Sequence, residues 1–376
     1  MKLKKKKVIF VHTKMRLLMR MKYCFIFLFL FFSYKLTAQE DPRFTFSPWL
    51  QSFYNPGAMG EKDQHLNFTG VLRQHAFMMR EPEEADPSGQ GESDSSTDPT
   101  KPTYRKQNGE QVLLNIESYI KQIRGAVGIS FMNDKVAGVF ENVGFRFGYA
   151  TKFRVHGGKL GVGLQFGFLN SKPGKNYPFN PNQDPDPLVT AIESSESFLD
   201  FDMNFGIHYK APTWYAGISC AQLLGGARIS GGESGFKTLH PVRQIYMTGG
   251  YIWDLKTPVP WSIEPHVFIR TNLATWTMDV MALARYNGIL WFGLSYQLDW
   301  AVAVLFGAVP FYNSTNNYLK GLELGLSYSF PTNKLGYRTG GSMGDFEILV
   351  RYGFNFYKDK ALTGYGSSRH LYKNQY

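Results

Sequence analysis

Nine ionisable residues occupy alternate positions in segments whose remaining positions are mostly apolar, and these side chains are the best placed in the chain to meet a solute or one another. Asp200 and Asp202 are two apart, so on an extended strand both carboxylates leave the same face. Asp279, Glu323, Asp345 and Glu347 add acids in the same phase, and Arg146, Arg285 and Arg351 add guanidinium groups. Such a lining can pair internally and fill the space it encloses, or it can present a selective path to a small solute. Bond-making chemistry finds less support. There is no HExxH pair and no GxxxxGK[ST] loop. The run Gly157-Gly158-Lys159-Leu160-Gly161-Val162-Gly163 has the glycines of a phosphate loop, but its later glycines alternate as in a strand. No helical pattern follows to turn its N-terminus toward an anion. The eight histidines are not at ligand spacings. His65 and His75 flank one strand-like segment, His208 and His266 lie within others, and His240 is in a polar connection. No catalytic, metal or cofactor site is expected.

The elements that carry these residues are strands. From 198 to 208, Leu199, Phe201, Met203, Phe205 and Ile207 oppose Asp200, Asp202, Asn204, Gly206 and His208. Val143, Phe145, Phe147 and Tyr149 oppose Gly144, Arg146 and Gly148. The same period of two runs through 160–168, 321–330 and 345–356, and it is the mark of a strand with two unlike faces. About fourteen such segments can be marked, near 65–73, 111–119, 124–132, 142–152, 158–169, 198–208, 213–221, 243–253, 261–271, 274–285, 288–297, 299–309, 319–330 and 343–356. Many run nine to twelve residues, the length of a tilted bilayer crossing, whereas ordinary strands centre on about five or six. Aromatics gather near their ends (Trp214, Trp253, Trp261, Trp276, Trp300) and glycines on their polar faces. The expected fold is therefore all-β, a transmembrane antiparallel β-barrel with the apolar face toward lipid. Early connections alternate between long (74–110, 133–141, 170–197, 222–242) and short (120–123, 153–157, 209–212), as expected of external loops and periplasmic turns.

Charge gives a warning about the N-terminus. The chain carries 41 Lys and Arg against 30 Asp and Glu, but ten of the basic residues lie within 1–38, which has no acid. Without that stretch, 31 basic residues face 30 acidic ones, so the pI makes no case for nucleic-acid binding. Residues 1–38 read as a cleaved signal peptide: basic Lys22, the apolar run 24–32, then Leu36-Thr37-Ala38 before Gln39. Met19 or Met21 is a candidate start. The expected organisation is then an N-terminal periplasmic or plug segment at 39–64, a barrel at 65–356 and a periplasmic tail at 357–376. Within the barrel, 80–110 is acidic, rich in Ser and Pro and too poor in apolar residues to fold alone, hence a flexible external loop. After cleavage a single cysteine, Cys220, remains, and no internal disulfide can form.

The order of several short motifs adds a resemblance. Tyr54-Asn55-Pro56-Gly57-Ala58 follows the mature N-terminus. Leu66-Asn67-Phe68 with Arg73-Gln74 comes next, then Asn133-Asp134-Lys135, Lys159-Leu160-Gly161 and Phe201-Asp202-Met203-Asn204. Trp214-Tyr215-Ala216-Gly217 and Phe346-Glu347-Ile348 complete the run. This ordered set resembles the PorP/SprF family of type IX secretion membrane proteins. It departs from the family at Gly57, where alanine is usual, and before the last strand, where Gly344-Asp345-Phe346-Glu347 replaces a Ser-His-Glu-like triplet. The resemblance implies a non-enzymatic accessory or cargo-anchoring role in type IX secretion and gliding, in the outer membrane of a Gram-negative bacterium of the Bacteroidetes. The implied partners are membrane lipid, secretion-machinery proteins and a secreted surface protein or adhesin. Tyr54, Asn55, Pro56 and Gly57 are candidates for partner contact; Asn-Pro and Pro-Gly equally suit a turn before the first strand. A transport barrel for a small or hydrophobic solute and an outer-membrane enzyme are the competing functions.

Overall fold

The computed structural model describes residues 41–61, 65–75, 80–83, 103–106, 109–136, 140–173, 197–225, 227–230, 242–255, 257–312, 321–332 and 344–355. The expected signal peptide and C-terminal tail lie outside the described residues. Fourteen strands form the wall, labelled β1 to β14 in chain order. They are β1 (His65–His75), β2 (Gly109–Ile120), β3 (Gly125–Val136), β4 (Phe140–Val155), β5 (Gly158–Pro173), β6 (Phe198–Lys210) and β7 (Trp214–Ala221). The second half comprises β8 (Gln244–Tyr251), β9 (Trp261–Thr271), β10 (Trp276–Tyr286), β11 (Leu290–Gln297), β12 (Ala301–Ala308), β13 (Leu322–Pro331) and β14 (Asp345–Asn355).

Every strand pairs antiparallel with its sequence neighbours, and β14 returns to pair with β1 from His65↔Asn355 to Gln74↔Phe346. The sheet therefore closes and leaves the wall no edge, which is the condition for placing strands in lipid. Side chains sort by parity as the sequence requires. On β3 and β4, Ile129, Phe131, Phe145 and Phe147 are exposed to the outside, while Ser130 and Asn142 are buried within. On β12 and β13, Val304, Phe306, Leu324 and Leu326 face out, and Ala303, Leu305 and Ser327 face in.

Two local expectations change. Residues 133–141 are not a long loop: β3 and β4 continue pairing, through Asp134↔Asn142 and Lys135↔Glu141, until only 137–139 remain. Lys135 Nζ lies 3.6 Å from Glu141. Polar cross-strand pairs sustain a ladder beyond the bilayer as well as apolar pairs do within it, so the loss of apolar alternation marks the membrane boundary and not the strand end. Within the 80–110 loop, Arg80–Glu83 pairs with Thr103–Lys106 as a short ribbon, and 84–102 lie outside the described residues. The glycine run at 157–163 is a hairpin. His156 and Gly157 both have positive φ (47° and 78°), as a two-residue turn between right-twisted strands requires.

Candidate functional site: a lumen occupied by its own N-terminal segment

The lumen is filled by residues 41–61, which lie inside the barrel and make three tight turns: Ser47–Trp49, Gln51–Tyr54 and Pro56–Ala58. Phe44, Phe46, Leu50, Phe53 and Tyr54 are buried in one cluster with wall residues from around the barrel, including Val71, Leu113, Tyr246, Leu283, Trp291 and Leu349. A polar lumen with a dry centre follows from this. The inward positions that meet the segment's aromatic face are apolar, and those above and below it are charged.

The charged groups bind the segment at its start. Arg146 donates to Asp41 at 2.5 Å, and the Tyr246 hydroxyl donates to the other carboxylate oxygen at 2.9 Å. Arg43 pairs with Asp279, beside Arg270 at 3.6 Å from the same carboxylate. Thr45 donates its backbone N–H to both oxygens of Glu347 (2.9 and 3.0 Å) and its hydroxyl to Oε1 at 2.8 Å. Behind Glu347 stands Arg73, with no exposed side chain, 3.5 Å from Glu347 and 2.5 Å from Asp345. The middle is held by aromatic contacts: Phe46 and Trp49 against Trp291 at centroid distances of 6.2 and 4.8 Å, and Tyr54 against Tyr246 and Phe268 at 5.3 and 4.8 Å. The Tyr54 hydroxyl donates to the Pro42 carbonyl at 2.9 Å, and burial pushes its pKa above the ordinary range, so it stays a donor.

At its far end the segment reads the wall's backbone. Asn55 Nδ2 donates to the carbonyls of Ile207 (3.0 Å) on β6 and Ile218 (3.4 Å) on β7, while its Oδ1 accepts from Gly57 N–H at 2.9 Å. Ser219 donates to the Tyr54 carbonyl at 2.8 Å, and Lys152 to the Gly57 carbonyl at 2.8 Å. Here glycine is required on both sides. A Cβ on Gly57 would lie 2.8 Å from the Gly206 carbonyl and 2.9 Å from that of Gly161; one on Gly163 would lie 2.7 Å from the Gly57 nitrogen. The inward glycines of β5, β6 and β7 are a seat against which the Asn55-Pro56-Gly57 backbone lies directly.

The expected lining residues therefore divide by partner. Arg146, Asp279 and Glu347 hold the N-terminal segment. Asp345 serves Arg73. Arg285 lies 3.2 Å from Glu323 and 3.0 Å from Glu264, and Arg351 lies 3.7 Å from Glu323, forming a chain across β9, β10, β13 and β14. Asp202 accepts the backbone N–H groups of Met203 and Leu224, at 2.6 and 3.0 Å, where the chain leaves β7; Asp200 is buried on the same strand. Only a small cavity, about 10 Å³, is left between the segment at Ser47, Pro48 and Gln51 and the wall at Thr248, Phe268 and Met281. Tyr54, Asn55, Pro56 and Gly57 are all buried in this arrangement, and the Asn55 Nδ2 and the Tyr54 and Gly57 carbonyls meet the wall. Asp41, Arg43 and Thr45 did not stand out in the sequence, because a buried contact between positions more than a hundred apart has no local signature.

Residues 340–344 spell GGSMG, a formal match to the nucleophile-elbow pattern. That pattern needs a strand before it and a helix after it. Here barrel strand β14 follows, and 340–343 lie outside the described residues. Among the described residues no cluster of His, Cys, Asp and Glu could hold a metal ion.

Similar solved structures include an outer membrane protein of Acinetobacter baumannii, Omp33 (6% identity, TM-score 0.39, covering 79% of this chain and 100% of that one). A Pseudomonas aeruginosa FadL homologue is 11% identical with TM-score 0.43 and coverages of 81% and 94%. A TodX deletion mutant, a monoaromatic hydrocarbon channel, is 8% identical with TM-score 0.44 and coverages of 78% and 91%. Among curated proteins nothing matches the chain. The family profile of the type IX secretion system membrane protein PorP/SprF matches residues 36–352, nearly the whole barrel together with its plug. The chain belongs to the PorP/SprF family of type IX secretion system membrane proteins.

One prediction concerns the seat. Asn55→Ala removes the donor to two wall carbonyls and the acceptor for Gly57 N–H, at a site buried from water. Leaving buried groups unpaired costs about 1–3 kcal/mol. Thermal unfolding of the purified protein, followed by the gel shift between folded and heat-denatured forms, should show a lowered midpoint with the barrel still formed. An unchanged midpoint would mean that this seat contributes nothing to stability.

Proposed function

We propose that this protein is a non-enzymatic outer-membrane component of type IX secretion that holds, or assists the export of, a secreted surface protein such as an adhesin. The observation that carries this reading is the occupied lumen. The segment is fixed by ion pairs at its start, by aromatic packing in its middle and by backbone contacts at its end. A barrel built to pass a solute needs a continuous path, whereas this one uses its inward side chains to bind its own chain. Work on a partner then falls to the loops and turns at the two rims. Family membership supplies the secretion context, and the rims supply surface for machinery and cargo.

The test is deletion of the gene, with a complemented strain as control, and quantitative mass spectrometry of surface and culture-medium proteins. One or a few large surface proteins should disappear while general secretion persists. Unchanged surface and medium proteins would remove the accessory role and redirect attention to solute uptake through a displaced plug.

A further inference from the structure

The rim formed by the short turns is chemically lopsided. The turns β2–β3, β4–β5 and β6–β7 lie side by side at one end of the barrel. Tyrosine hydroxyls tie them together: Tyr149 donates to the Ile123 carbonyl at 3.0 Å and Tyr209 to the Val155 carbonyl at 3.1 Å. Lys121 and Arg124 are exposed on the first turn, and Arg154 and His156 are exposed on the second, with Lys159 half-exposed beside them. Residues 118–128, 151–163 and 207–218 contain no Asp or Glu. Glu61, which approaches this end from inside, is taken up by Lys210 at 2.8 Å. The other connections at this end, 252–260, 287–289 and 309–321, are poorer in charge: they contain Lys256 with Asp254 close by, and Lys320. The positive charge is thus densest in the sector of the first two hairpins, where no acid accompanies it.

The same sector carries outward-facing aromatics just inside the cations. Phe153 is 51% exposed, Tyr149 43% and Trp214 42%, and Trp214 packs on Tyr209 at 5.0 Å. Aromatic side chains at strand ends mark the level where acyl chains give way to headgroups. At roughly 3.3 Å per residue, Arg154 and the 121–124 turn stand a few ångströms beyond that level, where lipid phosphates lie. With strands about 4.8 Å apart, two neighbouring hairpins spread this charge along roughly 15 Å of rim. We propose that this sector binds the headgroups of anionic phospholipids in the leaflet that meets the short turns, with Lys121, Arg124 and Arg154 as the principal phosphate contacts. A lipid surface fits better than a protein partner because exposed cations with no acid among them sit at strand ends next to the outward aromatics Tyr149 and Phe153.

The experiment uses the full-length protein in neutral detergent, exposed to phosphatidylglycerol or phosphatidylcholine, with retained lipid read by native mass spectrometry. The wild type should retain phosphatidylglycerol in clear preference, and added salt should erode that preference. The triple variant K121Q/R124Q/R154Q should lose on the order of a hundredfold in that selectivity, since each cation near an anionic surface contributes about fivefold. The gel shift of the folded barrel checks that the variant is intact, and the salt titration of the wild type tests the idea without any variant. Equal retention of the two lipids by the wild type would overturn the proposal, as would undiminished selectivity in a folded triple variant. Binding of soluble glycerol phosphate or an acidic polypeptide by a wild type that shows no lipid preference would overturn it in favour of those ligands.

Discussion

A Gly161→Val, Gly206→Val double variant is expected to leave the barrel standing and expel its plug. Both glycines face inward on β5 and β6, where the backbone of Asn55-Pro56-Gly57 lies against them. A Cβ on Gly206 would come within 3.0 Å of the Pro56 ring and closer still to the Asn55 amide, and one on Gly161 would press on the Gly57 carbonyl. Valine suits a strand, so the wall has no reason to fail. The plug backbone has no room to yield, because Gly57 itself is pinned between the carbonyls of Gly161 and Gly206. Overpacking costs about 1–3 kcal/mol per site, so the two together exceed the roughly 1–3 kcal/mol that the Asn55 contacts supply. In planar bilayers the wild type should be silent and the variant should show stable conducting steps. Its folded gel band should persist to a lower temperature than that of the wild type. A variant that stays closed with an unchanged melting temperature would show that the segment does not sit against these strands.

Arg73→Ala is expected to be the most destabilising single change among the ion pairs. The side chain is fully buried on β1, between Asp345 and Glu347 of the closing strand β14. Its loss leaves two carboxylates facing each other with little solvent, and breaking a buried pair from one side costs about 3–5 kcal/mol. Glu347 is also the acceptor for Thr45, so the damage should spread to the plug. The seam between the first and last strands is where a barrel closes, and weakening it should slow folding into detergent or lipid as well as lower the melting temperature. Adding Glu347→Gln should recover part of the loss by removing one of the stranded charges. If Arg73→Ala melts with the wild type, the carboxylates have another source of compensation.

The strands were legible because period two is a local property: each residue's face is set by its own position, whatever its neighbours in space. Leu199, Phe201 and Phe205 against Asp200 and Asn204 announce both a strand and its lipid side. Strand ends were less legible where polar pairs such as Asp134 and Asn142 carry the ladder past the bilayer. The inward orientation of Arg146, Asp279, Glu323 and Glu347 followed from the same parity. Their partners did not, since Arg43 and Asp279 are 236 residues apart and Thr45 and Glu347 are 302 apart. The glycines show the division most clearly. Their place on the inner face was plain in the sequence, but their purpose was not, because a missing Cβ signals only that something approaches closely. Alternation, composition and motif order determined a lipid-facing antiparallel barrel of about fourteen strands and pointed to its family. Only the tertiary structure decided that the N-terminal segment fills the lumen, because that depends on which distant side chains converge when the sheet closes, and closure brings together residues that the chain itself keeps far apart.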